Sequence, residues 1–276
     1  MAIPKDPDTL QHMKEVELKI LIAVDEVCKK LNIDYALDGG TLLGAARHSG
    51  FIPWDDDIDL LMPREDYERF IATAQEYLPK EYKIRTFLNT PEYPYLFIKV
   101  DDTRTLLVEE NLRHLNSGVG IFIDIFPIDG FPETKFKQKL YYLKCRFYLN
   151  ILSTLFYDKT DNLWPKPYRM YIALMQALPL NRFKIQKKFD AYMKKQKLNS
   201  STLGFSPTAG TGKKIGVNKN ILFPTRRGKY LFEKNDFKVP NQSEEYLIWS
   251  YENYTELPKE EERYPHHDAF VSFQKE

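Results

Sequence analysis

The chain has 276 residues, with 40 lysines and arginines against 39 acidic residues, so its formal net charge at neutral pH is only +1. An apolar content of 43% is enough for a hydrophobic core and excludes an intrinsically disordered chain. The chain has two cysteines, Cys28 and Cys145, and this small number excludes a disulfide-rich scaffold. Neither has a cysteine or histidine at zinc-ligand spacing, so we predict that both thiols are reduced. No recognised nucleic-acid-binding module is present, so we predict no nucleic-acid partner.

The first 32 residues predict a scaffold helix rather than a targeting segment. No hydrophobic signal segment is present here, and no run in the chain approaches 18 uninterrupted apolar residues. We therefore predict a cytoplasmic protein. An apolar stripe at helical spacing predicts a helix that begins near Asp8 and ends near Asn32.

Residues 35–48 predict a short strand that enters a glycine pair and then a short helix. Glycine allows the backbone to approach a ligand closely, and a helix N-terminus offers unpaired N–H groups that suit phosphate. An ordinary turn is the alternative interpretation. The candidate substrate-binding residues in this stretch are Gly39, Gly40, Thr41, Arg47 and His48.

Aspartates dominate the next stretch, residues 51–62. With a period of two, Asp55, Asp57 and Asp59 lie on one face of a predicted strand, and Asp56 lies on the other with Ile58. Converging carboxylates repel each other unless a cation lies between them, and such hard oxygen ligands suit Mg²⁺ or Mn²⁺. The alternatives are a solvated acidic turn or a structural calcium loop.

The run from Gly39 to Asp59 contains Gly-Gly-Thr, then Arg-His, then Trp-Asp-Asp-Asp-Ile-Asp, and it resembles the signature of the LicD family of phosphocholine transferases. The resemblance implies an α+β protein with the nucleotidyltransferase fold of DNA polymerase beta, a mixed sheet flanked by helices. In that superfamily the glycine pair opens the phosphate-binding helix. The Asp-hydrophobic-Asp pair that holds the metals is Asp57 and Asp59 here, and Asp55 is a further candidate ligand.

Two charged residues stand out among the predicted strands of residues 82–126. The resemblance implies that Lys99 faces phosphate, whereas by itself a strand lysine is typical of a solvated sheet edge. It also implies a third carboxylate at Asp124, which completes the metal site or acts as the base for the attacking hydroxyl. Asp129, in a Pro-Ile-Asp-Gly sequence that predicts a turn, is the competing choice. The preceding predicted helix, from Pro63, places Arg64 on its outer face.

Residues 135–197 carry 15 lysines and arginines and three acidic residues, a net charge of +12, and predict three helices with interleaved aromatic side chains. One interpretation is a helical subdomain with a basic surface. The other is docking to an anionic membrane surface or an anionic polymer.

The tail predicts a loop over residues 200–220 and then resembles the family again. The tail departs from the family pattern at one place, because this chain has Glu252 and Asn253 where family members tend to have Gly-Asp. His266 and His267 are candidate contacts to substrate phosphate, with plain surface positions as the alternative. We predict a catalytic core over 1–130, a basic aromatic-rich helical subdomain over 131–200, and a C-terminal segment over 201–276 that completes the active-site region.

By resemblance, the donor is CDP-choline and the acceptor is a sugar of a cell-surface glycopolymer, such as teichoic acid or lipopolysaccharide, or a lipid-linked precursor of one. A quaternary ammonium has no N–H group, so aromatic faces must hold it. Trp54, Tyr93 and Tyr95 are the candidates. The alternatives are transfer of another phospho-alcohol or of a nucleotidyl group, an Asp-x-Asp glycosyltransferase, and a non-catalytic module that binds anionic glycan.

Overall fold

A computed structural model describes residues 6–115, 117–160, 164–209, 215–265 and 269–273. Its nine described strands are β1 (Ala36–Leu37), β2 (Asp59–Pro63), β3 (Tyr82–Arg85), β4 (Ile98–Asp102), β5 (Leu106–Glu109), β6 (Phe122–Phe131), β7 (Leu203–Phe205), β8 (Val217–Asn218) and β9 (Ala269–Ser272). Seven of them form one mixed sheet in the order β1-β2-β6-β4-β3, with β7 paired to β6 and β8 paired to β7. β5 and β9 form a separate antiparallel pair.

The described helices are α1 (Pro7–Leu31), α2 (Gly39–His48), α3 (Arg64–Thr73), α4 (Lys135–Phe156), α5 (Lys166–Ala177), α6 (Arg182–Met193), α7 (Lys219–Leu222) and α8 (Ser243–Tyr251). Within the described ranges, no helix is both long and apolar enough to cross a bilayer. The predicted α+β class, a mixed sheet flanked by helices, is confirmed. The specific likeness to DNA polymerase beta stays a prediction.

β6 is the central strand, and its register brings three charged residues together. All ten of its residues are buried. β2 pairs with it in parallel and places Asp59 opposite Asp124. β4 pairs with its other edge in antiparallel orientation and places Lys99 opposite the same Asp124. Three positions that are far apart in the sequence therefore form one row across the sheet.

The aspartate-rich stretch contains less strand than the sequence predicted. β2 begins at Asp59, and the residues from Asp55 to Asp57 lie in the loop before it. Just before this loop, the buried ammonium of the α1 residue Lys14 donates to the carbonyls of Ile52 (3.0 Å) and Pro53 (2.8 Å).

Two predictions around α3 were wrong. Asp129 does not lie in a turn but in β6, fully buried, and Arg64 is buried rather than on an outer face. The two side chains form a bidentate pair, with Arg64 Nε 2.8 Å from Asp129 Oδ1 and a second nitrogen 2.5 Å from Oδ2. Pairing makes it possible for both charges to be buried.

The basic helical segment has a small core of its own. Buried residues from α4, α6, β6 and β7 form this cluster, and they include Tyr141, Cys145, Phe189, Phe131 and Phe205. The opposite side of α4 is unusual because it exposes large apolar side chains, with 73% of Phe136 and 63% of Phe147 open to solvent. α4 is therefore apolar on two faces, of which only one is packed.

Candidate active site

The glycine pair lies directly against the aspartates. Gly39, the first residue of α2, has a φ of +51°, and a Cβ there would stand 2.8 Å from Asp59 Oδ2. A Cβ on Gly40 would overlap Asp55 Oδ2. Only glycine allows these carboxylates to approach the helix N-terminus, where the first N–H groups have no partner within the helix and the dipole is positive. Thr41 adds a link, since its Oγ1 accepts the Asp59 N–H at 2.9 Å.

The candidate metal centre is a cluster of three carboxylates in the loop before β2. One oxygen from each of Asp55, Asp56 and Asp57 lies within 4.8 Å of the others. The sequence prediction placed Asp56 on the opposite face, and this was wrong because the residues form a loop rather than a strand. Asp55 and Asp56 are buried and Asp57 is partly buried. A set of oxygen donors alone fits Mg²⁺ or Mn²⁺.

Asp59 and Asp124 extend this negative charge into the sheet. Burial raises the pKa of Asp59 well above its usual range, and the neighbouring charges of Asp57 and Asp124 raise it further. Carboxylates with little access to water strongly favour either a proton or a cation among them. The site is therefore electrostatically suited to a divalent ion.

Lys99 lies inside the protein and neutralises part of this charge. Its Nζ is 2.9 Å from Asp124 Oδ1 and 3.2 Å from Oδ2, and only 2% of the residue is exposed. The alternative of a solvated edge lysine is therefore wrong. The ammonium also lies 3.2 Å from the ring centroid of Phe122 and 4.7 Å from that of Tyr95. A direct contact to phosphate stays a prediction for Lys99.

Arg47 and His48 do not lie at the N-terminus of α2, which is the end at which phosphate binding is predicted. They lie in its last turn, about 12 Å along the axis from Gly39 at 1.5 Å per residue. The Arg47 guanidinium donates to the backbone carbonyls of Tyr254 and Glu256, and His48 is exposed. Arg47 therefore holds the C-terminal segment against α2.

The three predicted head-group aromatics have other contacts. Tyr93 is buried and donates its hydroxyl to the Phe97 carbonyl at 3.1 Å. The Tyr95 hydroxyl donates to Glu109. The rings of Tyr93 and Tyr95 form an edge-type contact with their centroids 5.6 Å apart. The Arg263 guanidinium lies 5.5 Å from the Trp54 ring centroid. His266 and His267 lie outside the described residues.

Sequence reasoning missed two buried ionisable residues on α1, Lys14 and Glu17, near the aspartate loop. Burial raises the pKa of Glu17 well above its usual range, and Asp57, Asp56 and Asp55 raise it further. Glu17 Oε2 is buried without a hydrogen-bond partner among the described residues. Burial lowers the pKa of Lys14, whereas nearby Asp55 raises it. Their positions within the apolar stripe of a helix were the available signal.

Sequence reasoning also missed the contribution of α8 to the candidate site. Tyr246 donates its hydroxyl to Asp38 Oδ1 at 2.6 Å, across 208 residues of sequence. Burial of the Tyr251 phenol raises its pKa, and the charges of Asp38, Asp55, Asp59 and Asp57 add to the increase, so the phenol lies within electrostatic range of these carboxylates. The aspartate immediately before the glycine pair and the tyrosines of the tail were the signals.

Comparison with known proteins identifies relatives of this chain. Residues 32–151 match the family described as LicD/FKTN/FKRP, nucleotidyltransferase domain. The lipopolysaccharide cholinephosphotransferase LicD of Haemophilus influenzae is 30% identical over 273 residues, which cover 95% of this chain and 98% of that protein. The ribitol 5-phosphate transferases FKRP of Homo sapiens and Mus musculus are 52% identical over 40 residues, 14% of this chain and 8% of theirs.

The match to the Haemophilus protein extends far beyond the short motif. It covers 95% of this chain, so it also spans the segments of α4, α6 and α8. The resemblance predicted from residues 39–59 is thereby confirmed, and the chain belongs to the LicD family.

Proposed function

We propose that this protein is a metal-dependent phosphotransferase that moves phosphocholine from CDP-choline to a sugar hydroxyl of a cell-surface glycopolymer precursor, such as teichoic acid or lipopolysaccharide. The observation that carries the proposal is the carboxylate cluster of Asp55, Asp56 and Asp57, set against the N-terminus of α2. The activity named for the Haemophilus relative supports the choice of phosphocholine.

The loop and β2 residues Asp55, Asp56, Asp57 and Asp59 are the proposed ligands of Mg²⁺ or Mn²⁺. When bound, such an ion neutralises phosphate charge and stabilises the leaving nucleotide. The N–H groups of the first turn of α2, with Gly40 among them, orient the phosphates, because they lie at the positive end of the helix.

Asp124 is the proposed contact to the acceptor. The acceptor oxygen forms a bond to phosphorus as the bond between phosphorus and the CMP oxygen breaks, and the hydroxyl proton passes to a carboxylate. Asp124 is the base in this scheme, and Lys99 orients it through two hydrogen bonds. Asp124 is also a predicted metal ligand. Both of its oxygens accept hydrogen bonds from Lys99 in this structure.

Product analysis tests the proposal. The protein is incubated with Mg²⁺, Mn²⁺ or EDTA and with CDP-choline labelled either in choline or in cytidine, and CDP-ethanolamine, CDP-ribitol and a nucleotide sugar are the comparison donors. We expect metal-dependent release of CMP, with the choline label passing to an acceptor glycan. Asp57→Asn is the inactive control.

Other results would overturn it. Transfer of the cytidine label would identify a nucleotidyltransferase, and use of the nucleotide sugar would identify a glycosyltransferase. Faster use of CDP-ribitol would give the protein the activity named for FKRP. Binding of donor without turnover in any condition would leave a glycan-binding module.

We also propose that α4 docks this protein on the anionic inner face of the cell membrane, where a lipid-linked acceptor would be available. Exposed apolar side chains recur on one face at i, i+4, i+7 and i+11, at Phe136, Leu140, Leu143 and Phe147. Exposed basic residues flank this stripe on both sides, at Lys135, Lys137, Lys139, Lys144 and Arg146. An apolar face bordered by lysine and arginine is typical of helices that lie in the interface of anionic bilayers.

A further inference from the structure

A small cavity adjoins the proposed phosphate-binding turn. Its volume is about 260 Å³, and Asp38 and Gly39 line it at the start of α2. Aromatic side chains form much of the remaining wall, namely Phe205 from β7 and Tyr246, Trp249 and Tyr251 from α8. The cavity therefore begins where the donor phosphates are proposed to bind, and it extends away under the last helix.

The aromatic wall is held in place by defined contacts. The rings of Tyr246 and Trp249 stack with centroids 5.7 Å apart and planes 12° from parallel. Tyr246 is also anchored to Asp38 by its hydroxyl. Tyr251 also lines the cavity, and its phenol lies within electrostatic range of the aspartates.

The charge of the cavity suits a cation. Among its described lining residues, Asp38 alone carries a charged side chain, and it is buried. Aromatic faces attract cations, and a carboxylate beside them supplies the opposite charge. No lysine or arginine belongs to the described lining.

Two of the aromatic residues that the sequence suggested for the head group, Tyr95 and Trp54, already have a cation beside them. The ammonium of Lys99 already lies on the faces of Tyr95 and Phe122, and the guanidinium of Arg263 already lies on Trp54. A second positive charge at either place would be repelled by the first. The Trp249 cavity has aromatic walls of the same kind and no described internal cation.

We propose that the cavity beneath α8 binds the quaternary ammonium head group of the transferred phospho-alcohol, with Trp249 and Tyr251 as the aromatic contacts and Asp38 as the counter-charge. This inference rests on the proposed function for the identity of the donor. The size of the cavity agrees, since drug-sized ligands occupy pockets of roughly 300–1,000 Å³ and a trimethylammonium group needs less.

Calorimetric titration of the full chain with Mg²⁺ tests the proposal. The ligands are CDP-choline, CMP and tetramethylammonium chloride, and the variants are Trp249→Leu, Trp249→Phe and Asp38→Asn. We expect Trp249→Leu to weaken CDP-choline binding by roughly tenfold or more and to leave CMP binding unchanged, because CMP lacks the head group. Trp249→Phe should restore most of the affinity, and Asp38→Asn should weaken CDP-choline binding selectively. Trp164→Leu, the same substitution at a tryptophan outside the described lining of the cavity, is the matched control.

Two results would overturn the inference. Equal weakening of CMP and CDP-choline by Trp249→Leu would show that the cavity holds the nucleoside, and unchanged affinity for both would show that it holds neither. Tetramethylammonium separates this inference from the proposed function. If its binding requires Trp249 but CDP-choline is never turned over, the head-group cavity stands and the proposed function fails. If CDP-choline is turned over and Trp249→Leu leaves its affinity unchanged, the proposed function stands and the head-group cavity fails.

Discussion

Lys99 and Asp124 face each other across β4 and β6, with the lysine Nζ 2.9 Å from one carboxylate oxygen and 3.2 Å from the other. Both residues are buried, at 2% and 5% exposure. Removal of one partner from a buried ion pair leaves an uncompensated charge, which costs roughly 3–5 kcal/mol. The pair therefore supports the fold as well as the proposed chemistry.

Substitutions at this pair should separate its two roles. We expect Lys99→Met to reduce the free energy of unfolding by roughly 3–5 kcal/mol, because Asp124 then remains buried without its ammonium. The double variant Lys99→Met with Asp124→Leu should recover much of that stability but no turnover. Urea denaturation and steady-state rates measure the two effects, and a double variant with normal turnover would contradict the role of Asp124.

Asp124→Asn should lower turnover far more than it weakens CDP-choline binding, because alignment of the acceptor is used mainly in the transition state. Asp129→Asn is the matched control on the same strand. Its partner is Arg64, so we expect it to lower stability while leaving turnover by the folded protein nearly intact. A larger loss of turnover for Asp129→Asn would mean that the third carboxylate was assigned to the wrong residue.

Asp57→Asn and Asp59→Asn should each abolish metal-dependent turnover. For Asp59 the change should also stabilise the metal-free protein at neutral pH. Burial and neighbouring carboxylates raise its pKa in the folded state, so the folded protein binds the proton more tightly than the unfolded chain does. The free energy of unfolding therefore falls as the pH rises above the unfolded pKa of about 3.9, and the amide removes this loss.

Thermal melts of Asp59→Asn and the unaltered protein between pH 4 and 8 measure this effect. We expect a higher melting temperature for the variant without metal, a difference that shrinks toward acid pH, and a reversed order in saturating Mg²⁺, which stabilises only the protein that binds it. Near-normal metal-dependent turnover by both Asp57→Asn and Asp59→Asn would contradict their assignment as metal ligands.

Glu252→Gly should stabilise the protein. Glu252, the C-cap residue directly after α8, has φ +59° and ψ −86°, a backbone conformation that glycine adopts far more readily than glutamate. Strain of this kind costs roughly 1–3 kcal/mol. Chemical denaturation measures the gain, and Glu252→Ala is the control, because it removes the side chain without relieving the backbone. Equal stability of the glycine and alanine variants would contradict the prediction.

Removal of positive charge from α4 should weaken membrane binding in a salt-dependent way. Replacing Lys137, Lys139, Lys144 and Arg146 with serine removes charges that each contribute about 1 kcal/mol near an anionic surface. Sedimentation with phosphatidylglycerol vesicles, against phosphatidylcholine vesicles, measures binding at low and high salt. Hydrolysis of soluble CDP-choline should stay nearly unchanged.

The apolar stripe of α4 gives a separate test of the same surface. Leu140→Ser with Leu143→Ser should weaken vesicle binding at all salt concentrations, because these side chains contribute apolar burial rather than charge. Equal loss of vesicle binding and of CDP-choline hydrolysis in the charge variant would show that the basic residues belong to the donor site or to the fold.

The sequence alone was sufficient for features that depend on neighbouring residues. The helices from α1 to α6 lie close to their predicted positions, because each carries an apolar periodicity that is a local property. The glycine pair before α2 and the aspartates up to Asp59 were identified for the same reason. Their chemistry requires particular residue types within a span of about 20 positions, as the family signature does.

Only the tertiary structure decided which distant residues meet. Strand register places Asp124 beside Asp59 and Lys99, and an offset of one residue would have pointed it to the other face of the sheet. The Arg64–Asp129 pair and the Tyr246–Asp38 contact depend on burial across 65 and 208 residues, and no local pattern encodes them. Asp56 lies in the candidate metal cluster because the residues of a loop do not alternate between two faces as those of a strand do. Long-range packing selects these contacts, since a buried charge or hydroxyl must find its partner wherever the folded chain places one.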